Sequence, residues 1–156
     1  MARKPSADRR VACLNRKARH EYEIEAVLEA GLALRGGEVK ALRQGNGNLV
    51  DAYALVREGQ VTLHDFEIAR YSHDHTGAEQ PRRTRRLLLH AAEIRKLVMR
   101  LREPGMTLVP LAVYFKGPWA KVELGLARGR KKHDKREALK RRQDEREMDR
   151  ESRRRR

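Results

Sequence analysis

Eight residues near the C-terminus carry the densest set of reactive and charged side chains: Gly129, Arg130, Lys131, Lys132, His133, Asp134, Lys135 and Arg136. A histidine beside a carboxylate is an acid–base pair in principle, because imidazole titrates near neutrality. The same ring, flanked by Lys131, Lys132 and Lys135, can instead lie flat on an unpaired base while the cations hold phosphates. Catalysis needs a rigid pocket. The octet sits between a strand-like run and a segment with no apolar period, so stacking is the preferred reading. His73 and His75 are ligand-type side chains one residue apart, but only Asp74 and Glu79 accompany them and no cysteine does, so a polar loop is preferred to a metal site. Trp119 and Tyr114 can stack on bases, although aromatic residues in a barrel hairpin more often pack in its core or rim. The chain has no phosphate-binding glycine loop, dinucleotide fingerprint or nucleophile triad. It is read as a binding protein and not as an enzyme, with no metal and no cofactor.

The charge says what is bound. The 156 residues carry a formal charge of +15, which calls for a polyanion. Residues 1–19 hold seven basic and one acidic side chain, and residues 128–156 hold 15 basic and seven acidic. The stretch between is nearly neutral. A body that can fold without much self-repulsion therefore carries two cationic arms. One cysteine, Cys13, excludes an internal disulfide and fits a reducing compartment. No apolar run approaches the roughly 18 residues that span a bilayer, and the N-terminus lacks a signal-peptide core. The tail's only apolar residues are Ala138, Leu139 and Met148. The expectation is a cytoplasmic protein that binds RNA and no membrane.

The elements that must position these residues follow from apolar spacing. Residues 1–14 read as a flexible basic N-terminus. Tyr22, Ile24, Ala26, Leu28 and Ala30 alternate with polar positions as in a half-buried strand, with helix as the rival because Glu, Ala and Leu favour it. Gly36 and Gly37 read as a turn, followed by a short helix over 38–43 with Val39 and Leu42 on one face. An apolar run over 49–56, a turn at 57–60 and a return strand from Val61 toward Ile68 make a hairpin. From Arg70 to Arg86 the pattern dissolves into a long exposed loop. The spacing predicts a helix over 87–102, with Ile94, Leu97, Val98 and Leu101 on one stripe and Glu93 in the N3 place of a capping box after His90. Residues 107–116 and 121–128 alternate as a second hairpin, and Pro110 in it requires an edge or a bulge. About six antiparallel strands with few helices predict a mainly β fold, an OB-like barrel over 15–128 with flanking helices. Over 129–156 i,i+4 pairs such as Glu137–Arg141 support a helix weakly. No apolar stripe buries it, so a tail disordered in free solution is expected.

Several stretches, in register, resemble the small protein B family, the SsrA-binding proteins. They are Asn15 to Tyr22, Glu29 to Leu34, Gly37 to Lys40 with Leu42 and Arg43, Pro81 to His90, Leu108 to Phe115, Ala120 to Val122, and the octet. The resemblance implies an OB-like barrel that binds the tRNA-like part of transfer-messenger RNA and brings it to ribosomes stalled on messages without a stop codon. It implies a tail that becomes helical only on the ribosome, in the empty mRNA channel beyond the small-subunit decoding site. The charged RNA would arrive with an elongation factor and GTP. RNA-binding positions are then expected at Asn15, Arg16, Lys17, Arg19, His20, Glu29, Lys40, Arg43, Arg85, Arg86, Leu88 and His90. Decoding-site positions are expected at Gly129, Arg130, Lys131, Lys132, His133, Asp134, Lys135 and Arg136. Departures from the family pattern include Arg130 for a usual Lys, Ala41 for a common Ser, Asn46-Gly47 for a common Lys-Ala, and an Arg-rich far tail. The alternative is a constitutive ribosomal or general OB-fold RNA-binding protein, which the identity of the bound RNA would distinguish.

Overall fold

The computed structural model describes residues 9–71, 80–129 and 132–154, with backbone alone over 132–139. Six strands close into a ring around one apolar core. In ring order they are β8 (Met106–Lys116), β4 (Tyr53–Arg57), β5 (Gln60–His64), β7 (Arg85–Leu88), β2 (Tyr22–Leu32) and β9 (Trp119–Gly129), with β9 pairing back onto β8. All pairings in the ring are antiparallel. The mainly β, OB-like barrel expected from the strand count is the observed fold. Closure removes the free edges that an open sheet would expose.

Alternation decides which side chains enter the ring. Val61 and Leu63, Leu87, and Val122, Leu124 and Leu126 are buried in the core with Leu108, Val113 and Phe115. Their neighbours Lys121, Glu123, Arg86 and Leu88 therefore face outward. The β4–β5 connection is a two-residue turn in which Glu58 and Gly59 have φ of 50° and 72°, the left-handed pair that a tight hairpin requires. Pro110 sits at a register shift against β9 between Pro110 and Ala112, which is the bulge its missing N–H demands.

Helices close the ends. α2 (Gly36–Arg43) buries Ala41 and Leu42, and a small two-stranded sheet of β3 (Gly47–Asn48) and β6 (Glu67–Ile68) lies beside it. α3 (Ala91–Leu101) turns its apolar stripe to the barrel, with Leu97 buried and Ile94 and Leu101 packed on the core. The His90 main-chain N–H donates to Glu93 Oε2 at 3.0 Å, the reciprocal half of the predicted cap. α1 (Ala18–Glu21) covers a second apolar cluster on the outside of the sheet, made of Ala18, Val109, Leu111 and Ala127 with Tyr22 and Ile24. α4 (Lys132–Arg154) follows β9.

Several expectations change. The N-terminal segment is a strand from its first described residue: β1 (Arg9–Leu14) pairs antiparallel with β8, from Arg9 opposite Lys116 to Leu14 opposite Ala112. It lies on the stretch of β8 beyond the Ala54–Leu108 pair of β4. Gly36 and Gly37 are the first helical residues of α2 and not a separate turn. The helix predicted from residue 87 starts at Ala91, because Leu87 and Leu88 belong to β7. The exposed loop predicted to run to Arg86 ends before β7, and His73, His75, Asp74 and Glu79 lie outside the described residues. In β2 a register shift between Ile24 and Ala26 breaks the simple alternation. Tyr22 and Ile24 join the outer cluster, Leu28, Ala30 and Leu32 the barrel core, and Ala26 is exposed.

Gly47 marks a close approach of β3 to the core. A Cβ there would lie 2.7 Å from Leu42 Cδ2 and 3.4 Å from both Cys13 Sγ and the Phe66 ring. Gly47→Ala is expected to destabilise by about 1–3 kcal/mol through overpacking, read as a lower midpoint in urea. Gly36→Ala, whose Cβ would meet nothing within 4 Å, is the neutral companion. Equal midpoints for the two would refute the packing argument.

Candidate nucleic-acid interface

The outward face of the ring gathers residues far apart in sequence. Leu88 of β7 pairs with Gly31 of β2, Gly31 with Lys121 of β9, Lys121 with Tyr114 of β8, and Tyr114 with Val11 of β1. Paired residues share a face, so this row crosses five strands on the outside of the barrel. Rows on either side place Arg9, Lys116 and Trp119 next to one another, and Glu29 opposite Glu123. Arg86 stands two residues before Leu88 and faces the same way. Trp119, Leu88 and Val11 are 69%, 53% and 48% exposed, an unusual share of apolar surface among so many charges. Gly31 is the low point of the row, where a Cβ would come 3.1 Å from Leu88 Cβ.

The charges on this face are tied together. The Arg9 guanidinium lies 3.7 Å over the Tyr114 ring and donates to Glu123 at 2.5 Å. Arg19 of α1 reaches the other oxygen of Glu123 at 3.8 Å. The Tyr114 hydroxyl donates to Glu29, and Lys116 Nζ stands 3.6 Å from the same carboxylate. Burial pushes the Glu29 carboxyl up, but the Tyr114 hydroxyl, Lys116 and Lys121 outweigh it and leave it below the ordinary carboxylate range. Burial and the facing Glu29 carboxylate push the Tyr114 hydroxyl far above the usual phenol value. Across physiological pH Glu29 is therefore ionised and the Tyr114 hydroxyl keeps its proton. The face has two fixed carboxylates among Arg9, Arg19, Arg86, Lys116 and Lys121. That surplus of cations around exposed apolar surface suits phosphates together with bases or sugars.

The sequence-predicted residues divide on this frame. Glu29, Arg86 and Leu88 come together on the outer face, and Arg16, Lys17, Arg19 and His20 are exposed along the approach to α1 and on it. His90 is exposed at the start of α3, directly after β7. Lys40 and Arg43 are exposed on α2 at the barrel end, Lys40 5.5 Å from the Tyr71 ring and Arg43 4.3 Å over Phe115. Two residues have structural work instead. Asn15 is 6% exposed. Its Nδ2 donates to the Pro110 carbonyl at 2.9 Å and its Oδ1 accepts from Ala18 N at 3.2 Å. Arg85 is 1% exposed, with its Nε donating to Glu38 at 2.7 Å and its other nitrogens to the carbonyls of Phe66, Arg83 and Pro81. A guanidinium so enclosed holds the fold and has no reach to a phosphate.

Arg9, Lys116 and Lys121 were absent from the sequence-predicted set, and Trp119 was expected to pack. The available signal was alternation: with Val122, Leu124 and Leu126 inward, positions 119, 121 and 123 must point outward. Among the described residues no group of three or more His, Cys, Asp or Glu side chains is placed to hold a metal. The Cys13 thiol, pushed up to about 11 by burial, is no nucleophile near neutral pH.

The tail leaves this body from a fixed post. Arg128 donates to Glu25 at 2.7 Å, to Glu103 at 3.0 Å and to the Pro104 carbonyl at 3.0 Å, and Gly129 pairs with Tyr22. Arg130 and Lys131 lie outside the described residues, as do the side chains of Lys132, His133, Asp134, Lys135 and Arg136. Farther along α4, Arg142 Nη1 donates to His20 Nδ1 at 2.7 Å. Arginine has no acceptor, so that imidazole nitrogen presents its lone pair.

Comparison with known proteins places the chain. A family model described as SmpB protein matches residues 12–154. An SsrA-binding protein of Geobacillus thermodenitrificans is 49% identical over 146 residues, covering 94% of both chains. One of Synechocystis is 53% identical over 141 residues, covering 86% of this chain and 88% of the relative. A solved chain from work described as "tmRNA-SmpB: a journey to the center of the bacterial ribosome" superposes with a TM-score of 0.66 at 44% identity, over 81% of this chain and 93% of that one. The fold, the match along nearly the whole chain and the level of identity agree: this chain belongs to the SmpB family of SsrA-binding proteins.

Proposed function

We propose that this protein binds the tRNA-like part of transfer-messenger RNA on the outer face of its barrel and delivers that RNA to stalled ribosomes for peptide tagging. The observation that carries the reading is the assembly of Glu29, Arg86 and Leu88 with Arg9, Lys116 and Lys121 on one surface, in a chain of this family. Cations there neutralise phosphates and release counterions. The exposed Leu88, in contact distance of the Gly31 hollow, gives apolar contact to a splayed base or sugar. The protein contributes no bond-making chemistry. It works in the cytoplasm, and the charged RNA arrives with an elongation factor and GTP.

The tail is the second half of the mechanism. It probes the decoding site with the octet and lies as a helix in the empty mRNA channel. Met148 is 64% exposed on α4, and every described side chain from Lys140 onward is exposed. Such a helix draws little stability from packing, so in the free chain it is marginal and the ribosome completes it.

Sequencing the RNA that copurifies with the full chain tests the first half. One abundant small RNA with a tRNA-like end is expected. Leu88→Ala and Glu29→Ala should each lose roughly ten-fold or more in affinity for it, since each removes a contact worth about 1–3 kcal/mol. Stoichiometric recovery with all ribosomes and no such RNA would instead identify a constitutive ribosomal protein.

A further inference from the structure

Four charged side chains close into a ring at the root of the tail. Glu25 accepts from Arg128 Nε at 2.7 Å on one oxygen and from Arg100 Nη2 at 2.7 Å on the other. Glu103 repeats the pattern: Arg128 Nη2 donates to its Oε2 at 3.0 Å, and Arg100 Nε stands 3.2 Å from its Oε1. Each carboxylate thus bridges both guanidinium groups, which the planar fork of arginine suits. The hydrogen bond from Arg128, with Arg100 behind it, holds the Glu25 carboxyl below the ordinary carboxylate range. The four residues come from β2, β9, α3 and the turn after α3. Glu25 is the extra residue of the β2 bulge, between Ile24, which pairs with Ala127, and Ala26, which pairs with Leu126. A bulge re-aims the side chain it carries. Arg128 lies between two strands, opposite Glu23 of β2 and Met106 of β8, and its Nη1 donates also to the Pro104 carbonyl at 3.0 Å.

The ring adds little to the stability of the fold. Its side chains are 28% to 45% exposed, where water screens ion pairs. α3 is already docked by Leu97, Ile94 and Leu101, and β9 by Val122, Leu124 and Leu126. What the ring adds is placement. Only Gly129 follows Arg128 in β9, and α4 begins at Lys132. The 23 residues of α4 reach about 35 Å. A swing of about 10° at the root therefore carries the far end about 6 Å. We infer that Glu25, Arg100, Glu103 and Arg128 are positioning residues that set the direction in which the tail leaves the barrel. The outer face and the tail are two binding sites on one chain. Linked sites act together only when the connection lets both engage at once. A braced root presents the octet at a set angle to RNA held on the barrel. This rests on the tail reading above and deepens it by naming the residues that aim the tail.

Full-length Glu25→Ala and Glu103→Ala each remove one bridge of the ring. Glu67→Ala is the control, since it removes a partner of Arg82 at 3.1 Å with 55% and 41% exposure, away from the tail root. Four quantities are measured: affinity for the tRNA-like RNA, the urea midpoint, the rate of peptide tagging in a reconstituted system, and a spin-label distance. The labels sit on Gln60→Cys and Gln143→Cys in a Cys13→Ala background, with the chain bound to 70S ribosomes carrying an mRNA that ends in the P site. Both ring variants are expected to match Glu67→Ala in RNA affinity and midpoint. They should tag about ten-fold more slowly and give a distance distribution about twice as broad as the parent's. Parent-like tagging or a parent-like distribution would overturn the inference. So would RNA affinity and midpoint falling in step with tagging, which would make the ring an ordinary brace of the barrel. A chain ending at Arg128 separates the two readings. If it tags normally, the tail reading fails and the ring with it. If it is inactive while the ring variants tag at the parent rate, the ring inference alone fails.

Discussion

A chain ending at Arg128 is expected to bind transfer-messenger RNA within a few-fold of the full protein and to give no peptide tagging on stalled ribosomes. The two proposed roles fall on separate parts of the chain. Glu29, Arg86, Leu88, Lys116 and Lys121 are carried on the closed ring, and Arg128 is itself pinned by Glu25, Glu103 and the Pro104 carbonyl. Truncation after that residue leaves the ring's core, which lies within residues 12–126, untouched. What is lost is 15 basic side chains less the one retained at Arg128, so some non-specific affinity should go at low salt and little at physiological salt. RNA binding by filter retention and tagging in a reconstituted translation system are the two measurements. Normal tagging by the truncated chain would remove the tail from the mechanism. Lost RNA binding would mean that the outer face is not the main site. Within the octet, Asp134→Ala and Arg136→Ala should follow the truncation, hurting tagging more than RNA binding.

Glu38→Ala is expected to be the most destabilising single change, by about 3–5 kcal/mol. Glu38 is 4% exposed and faces two guanidinium groups. Arg85 binds it through Nε at 2.7 Å, Arg83 donates to it through Nε at 3.1 Å, and the Arg35 main-chain N–H donates to it at 3.0 Å. It is at once the N3 residue of α2 and the counter-ion that docks the helix on β7. Its removal takes a carboxylate partner from the buried Arg85. Burial pushes the Glu38 carboxyl up, and Arg83, the Arg35 N–H and Arg85 more than offset this, so it titrates below its unfolded value. The stability it contributes is therefore fully present above the unfolded carboxylate value of about 4.3 and is lost as pH falls through the lower folded value. Urea unfolding at pH 7 and over the acid limb checks both statements. A Glu38→Gln variant as stable at pH 7 as the parent, or an unchanged acid limb, would refute them. The double change Glu38→Gln/Arg85→Met should recover part of the loss, since it also removes the buried guanidinium that Glu38 neutralised.

Local pattern was enough for much of the barrel. The second hairpin was legible because Val122, Leu124 and Leu126 alternate with polar residues, and because Pro110 admits few places in a sheet. The first hairpin was legible from Glu58 and Gly59. β1 was not, since six residues with Arg9 and Arg10 among them resemble any basic terminus, and they become a strand because the free stretch of β8 is there to pair with. β7 was hidden inside a run of arginines. It is a strand because Leu87 must fill the core between Val61 and Leu32.

For the site, the sequence alone determined that the partner is a polyanion, that the excess charge sits at the two ends, and that the familiar motifs run in register through the chain. These are properties of residue type and order. Only the tertiary structure decided which arginines are available. Arg85 and Arg86 are adjacent and chemically identical, yet one is sealed against Glu38 and the other stands on the outer face. The strand's period of two assigns them opposite sides, and the ring defines which side is inside. The same closure brought Arg9, Lys116 and Lys121 beside Glu29 from the two ends of the chain. Pairing register between distant strands is set by how the whole core fills, and no stretch of sequence read by itself contains it.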